Sequence, residues 1–111
     1  MAVSKLEKPS WRAYFDHMSK VLDGKRAEIE VDALSIGSQV EAKWLPLLGM
    51  TYDPKGDIFE VALEGLDHMI HKPRDVFVDQ TAADLSSVEV IDDDGFRHII
   101  KLRDPLMLPP P

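Results

Sequence analysis

Near the start of the chain hydrophobic residues recur at every third and fourth position. Trp11, Tyr14, Phe15, Met18, Val21 and Leu22 follow the i, i+3, i+4, i+7 spacing of one helical face, while Arg12, Asp16, His17, Ser19, Lys20 and Asp23 take the other. The spacing predicts an amphipathic helix over about residues 10–23. Ser10 is placed to cap its start and Gly24 to end it as a left-handed C′ residue.

From residue 25 the period changes to two. Ala27, Ile29, Val31 and Ala33 alternate with Glu28, Glu30 and Asp32, as in a strand with one dry and one wet face. The stretch 35–38 reads as a turn, after which Val40, Ala42 and Trp44 alternate with Glu41 and Lys43. Pro46 has no N–H for a ladder, so that strand is expected to end there or to lie on an edge. Pro73 invites the same edge reading.

Two hairpins follow from turn chemistry. Asp53-Pro54-Lys55-Gly56 separates LLGMTY from DIFEVALE, whose Phe59, Val61 and Leu63 are expected to face inward. Asp94-Gly95 sits between SVEVIDD and FRHIIKL. Pairing Asp92 with Phe96 across a three-residue loop, with Gly95 left-handed, puts Val88, Val90, Phe96, Ile100 and Leu102 on one face. That register sets His98 beside Val90 on the core side. TAADLSS reads as a polar connection, and residues 104–111 as an extended, proline-rich tail. The expected fold is α+β: one domain over residues 1–111. Its N-terminal amphipathic helix packs on a curled, mostly antiparallel meander of six or seven strands, between about residues 26 and 103.

Composition narrows the functions. The chain has 111 residues and no cysteine, which excludes disulfides, thiolate metal sites and cysteine nucleophiles. With 20 acids against 13 bases, the formal charge is −7, and the bases form no stripe. Nucleic acid and anionic membrane surfaces are therefore not expected partners. No apolar run approaches the roughly 20 residues of a membrane span, and MAVSKLEKPS has no stretch of signal-peptide length. A cytoplasmic protein is the expectation.

The segment LDHMIHKP holds the strongest candidates for chemistry: Asp67, His68 and His71, with His98 as a further one. On a strand, Asp67, Met69 and His71 point one way and His68 and Ile70 the other. Asp67 and His71 would then stand about 13 Å apart, too far to share an ion. A helical turn would bring His68 and His71 to i, i+3 and allow a metal. Pro73 and the β-branched Ile70, Val76 and Val78 favour the strand. Asp92-Asp93-Asp94-Gly95 lacks the alternating ligands and distant glutamate of a calcium loop. There is no phosphate loop, dinucleotide fingerprint or nucleophile elbow.

The order SWRAYFDHMSKVLDGKRAEIEV, IGSQVEAKWLPLLGMTYD, LDHMIHKP and the closing hairpin with PLMLP resembles the short bacterial proteins grouped as domain of unknown function 5335. The resemblance covers nearly the whole chain and is most particular at IGSQVEAKWLPLLGM. It implies a stand-alone bacterial domain and assigns no catalytic residue. The residues themselves point to a non-enzymatic module that binds a protein partner or itself, with no cofactor and no bound metal. The alternative is a small-ligand or metal-dependent enzyme centred on Asp67, His68 and His71. The apolar Leu106, Met107 and Leu108 suggest an arm that either folds back on its own sheet or clasps a second copy.

Overall fold

The computed structural model describes residues 3–81 and 84–104. Eight antiparallel strands form one continuous sheet: β1 (Val3–Leu6), β2 (Arg26–Ala33), β3 (Gly37–Asp53), β4 (Ile58–Leu63), β5 (Leu66–His71), β6 (Pro73–Thr81), β7 (Asp84–Asp92) and β8 (Arg97–Arg103). Their spatial order is β1-β6-β7-β8-β2-β3-β4-β5. The helical content is a single 3₁₀ turn (Lys8–Ser10), α1 (Trp11–His17) and α2 (Ser19–Leu22).

This overturns the expected α+β fold of an N-terminal helix on six or seven strands. A strand precedes the helix, the strands number eight, and the helix is two short pieces. Met18, at φ −80° and ψ 0°, lies in the bridge region and interrupts the helical run. Ser10 does not cap it; its hydroxyl donates to the Glu7 carbonyl at 2.7 Å. β1 has no signal in the sequence because it is mostly exposed, so its place is set by backbone pairing with β6 rather than by an apolar face. Meander order also fails twice, where β1 lies beside β6 and β8 beside β2.

β3 carries the sheet round a corner. Up to Pro46 it pairs with β2, and from Leu47 it pairs with β4. Trp44 takes a left-handed φ of 53°, and the ladder slips between Leu47 and Gly49. Pro46 stands at the handover: its carbonyl accepts from the Glu64 amide at 2.9 Å, while the Leu47 amide donates back to Lys25. The proline therefore does not end the strand, although the residues up to it, 37–46, have a neighbour on one side only. Pro73 opens β6 and pairs only with Asp92 of β7, since β1 covers β6 from Val76 to Asp79; the strands at the two ends of the sheet are β1 and β5. TAADLSS is not a polar loop either, since Thr81 ends β6, Asp84–Ser87 begin β7, and Leu85 is fully buried. The tail from residue 105 lies outside the described residues.

The core fills the space enclosed by this bend. Trp11, Phe15, Met18 and Leu22 are buried with Ala27, Ile29, Phe59, Val61, Leu63, Val88, Val90 and Ile100. Phe15 meets Phe59 edge-on at 4.9 Å, and Trp11 meets Tyr52 at 5.1 Å. The Trp11 indole donates to the Leu6 carbonyl at 2.9 Å, which ties β1 to the helix. Lys25 is buried and held by Asp84 at 2.8 Å and Asp104 at 3.6 Å. Of the alternating Val40, Ala42 and Trp44, Ala42 is buried while Val40 is 56% exposed.

Candidate functional site

The β7–β8 hairpin builds the first half of the site. The Asp92 amide donates to the Phe96 carbonyl at 3.0 Å, across a loop in which Gly95 has φ 84°, a conformation glycine adopts without a Cβ penalty. Asp92 Oδ1 accepts the amides of Asp94 and Phe96, each at 2.9 Å. This leaves Oδ2 free to meet His98 Nε2 at 3.0 Å. The pairings Val90 with His98 and Val88 with Ile100 turn the His98 ring inward, and it is 7% exposed.

The second half comes from the far edge of the sheet. Residues 66–71 form a strand in which His68 and Ile70 are more covered than Asp67, Met69 and His71. The bend at β3 brings β5 over β8, so that His68 Nε2 and His98 Nδ1 stand 2.9 Å apart. A protonated His98 donates from both ring nitrogens; with both rings neutral, His98 donates from Nε2 to the ionised Asp92 and accepts at Nδ1 from His68 Nε2. The result is a hydrogen-bonded chain from Asp92 through His98 to His68, with Nδ1 of His68 its unprotonated end. Burial, and secondly the charge of His98, push His68 down to about 4.

Of the sequence candidates, the structure brings His68 and His98 together and leaves Asp67 and His71 exposed on the opposite face of β5. Among the described residues no three His, Asp or Glu side chains are grouped to hold a metal ion. In the sequence Asp92 stands out only as part of an acidic turn that fails as a calcium loop. Its partnership with His98 is foreshadowed by the hairpin register, but no local pattern links it to His68, 24 positions earlier. The chain resembles the orienting part of an acid–base relay. Neither His68 nor His98 lines the cavities beside the β3–β4 turn; their contact joins edge strand β5 to β8.

A second polar cluster sits at the β3–β4 turn. The Tyr52 hydroxyl donates to Asp57 Oδ1 at 2.6 Å, and Lys8 Nζ lies 3.2 Å from the same oxygen. The Tyr52 hydrogen bond, ahead of Lys8, holds Asp57 below the usual carboxylate range. Burial, then that same bond, pushes Tyr52 up to about 12.

These features define a class by architecture: a small eight-stranded antiparallel protein, its sheet bent at one long strand and bridged by a part-buried Asp–His–His chain. The chain belongs to the family of unknown function DUF5335, which it matches over residues 2–111. It is similar to an uncharacterized protein of Aquifex aeolicus (strain VF5), 38% identical over 110 residues, which cover 98% of this chain and 99% of that one. No solved structure matches. Family membership thus carries no activity.

Proposed function

We propose that this protein is a non-enzymatic binding module, and that it pairs with a second copy of itself along the open edge of β3. The observation that carries this is the handover at Pro46. Residues 37–46 have β2 on one side and, among the described residues, no strand on the other. An unpaired edge of this kind is a template for another strand. Around it Leu34, Ile36 and Val40 are exposed.

The choice of occupant rests on charge. An antiparallel two-fold pairing centred on Ala42 sets Glu41 opposite Lys43 of the second copy, and Lys43 opposite Glu41 of the second copy. Opposite charges across a ladder stabilise it by about 0.2–1 kcal/mol per pair. The same register lays Val40 against Trp44 of the second copy. The left-handed Trp44 limits the ladder to about five residues, so the exposed tip residues Leu34 and Ile36 must supply further contact. No helix among the described residues is long and apolar enough to cross a membrane. A chain without cysteine needs no oxidising compartment, which fits a reducing one such as the cytoplasm.

Light scattering on wild type, E41K and the E41K/K43E double variant tests the pairing. The expected result is a dimer at micromolar concentration, a monomer for E41K, and recovery of the dimer when the charges are swapped. A monomeric wild type, or a dimer indifferent to E41K, overturns it.

A further inference from the structure

Three cavities cluster about the β3–β4 turn, and two of them adjoin at the corner where it meets the β5–β6 junction and the β7–β8 turn. One, of about 520 Å³, has Tyr52, Pro9 and Pro54 in its wall. The other, of about 360 Å³, is lined by the cations Lys8, Lys72 and Arg74 together with Gly56, Asp57 and Asp93. Lys8 and Asp57 line both and form the partition. Volumes of this size suit small molecules.

In a chain of net charge −7, three cations around one cavity are a local reversal of sign. They are not equally committed. Lys8 answers Asp57, whose carboxylate is also taken by Tyr52. Arg74 touches Asp75 through Nε at 3.2 Å, leaving the two Nη groups of its fork for another acceptor. Lys72 forms no ion pair among the described residues.

The backbone at this corner is held under strain. Asp57 has φ 52° and Lys72 has φ 53°, two of the three non-glycine left-handed residues among those described. They are joined directly: the Lys72 amide donates to the Asp57 carbonyl at 2.9 Å, and the Lys72 carbonyl accepts the Asp93 amide at 2.9 Å. Glycine would relieve the strain at position 72, yet an ammonium is carried there instead. Strain of this kind clusters at ligand clamps and switch regions.

We infer that this corner binds a small phosphomonoester with an apolar or aromatic body. The phosphate is held by Lys72 and Arg74, and the body lies in the cavity of Tyr52, Pro9 and Pro54. Asp93 faces the same cationic cavity and opposes a bare anion, so the body contributes much of the affinity.

The test is an amide NMR titration of the full chain with phenyl phosphate, run beside inorganic phosphate and benzoate. Saturating shifts are expected at Gly56, Asp57, Lys72 and Asp93 with phenyl phosphate, at least about tenfold tighter than with either control. The K72Q/R74Q double variant should lose saturation while its remaining spectrum stays that of the folded protein. Absence of saturating shifts at about 10 mM overturns the site, as does equal binding by the double variant. Inorganic phosphate binding as tightly as phenyl phosphate overturns the apolar half, and benzoate doing so overturns the phosphate assignment.

Discussion

His68 on β5 and His98 on β8 meet ring to ring, Nε2 to Nδ1 at 2.9 Å, although their strands stand four places apart in the sheet. The contact exists because β3 turns the sheet back on itself. It also couples this contact to protonation, since a neutral His68 can donate to a neutral His98 but two imidazolium rings repel.

Stability should therefore fall in mild acid. His68 is held down to about 4 from its ordinary 6.5, so the unfolded chain binds the extra proton first. The contribution is fully present above pH 6.5 and is lost as the pH falls toward 4. Its size is reduced by the partial exposure of the ring. Asp57, Asp75 and Asp84 are held below their ordinary 3.8, so their losses begin only near the acid end of this window, about pH 5, and are shared by wild type and a His68 variant. Urea midpoints measured at steps between pH 7 and pH 4 should decline for wild type and much less for His68→Leu. Equal slopes would remove His68 as the cause.

Asp92 should matter through its acceptors. Asp92→Ala leaves the Nε2 proton of buried His98 without its partner and frees two turn amides, which water can reach. A loss of about 1–3 kcal/mol is expected by urea denaturation. Asp92→Asn should cost less and reverse the chain, because an amide N–H would donate to His98 Nε2 and move the ring proton to Nδ1. Ring ¹⁵N shifts of His98 would report that exchange. A neutral wild-type His98 protonated at Nδ1 rather than Nε2 would contradict its donation to Asp92.

Phe15 tests the helical pieces. It is fully buried and packs edge-on against Tyr14 and Phe59. Phe15→Ala should lower stability by about 3–5 kcal/mol. An unchanged urea midpoint would mean that α1 contributes nothing to the core.

Legibility in the sequence followed the range of the interaction. The closing hairpin could be read to the residue, because a three-residue loop with a left-handed glycine and the alternation of Val88, Val90 and Ile100 admit one register. The buried stripe from Trp11 to Leu22 was legible for the same reason. What failed was non-local. Four mostly exposed residues of β1 have no periodic signature, and Pro46 looked like a stop because nothing nearby shows that the strand changes partners there. The strand reading of residues 66–71 separated His68 from His71, but only the bend of the whole sheet could supply His98 and Asp92 as its companions.

Lys72 offers a test in which stability and binding should move in opposite directions. Its φ of 53° lies where a Cβ crowds the following carbonyl oxygen, at a cost of about 1–2 kcal/mol that glycine does not incur. Two backbone hydrogen bonds hold it there, to Asp57 and from Asp93, and neither needs the side chain. Glycine adds entropy to the unfolded chain, which offsets part of the gain. Lys72→Gly should still raise stability, by about 0.5–1 kcal/mol. Lys72→Ala keeps the Cβ and should bring no such gain. Both substitutions remove the ammonium, so both should weaken phenyl phosphate binding to the same extent. Comparing the two by urea denaturation separates backbone strain from charge. A glycine variant no more stable than the alanine variant would show that the left-handed conformation at position 72 carries no strain, and would withdraw that support from the proposed ligand corner.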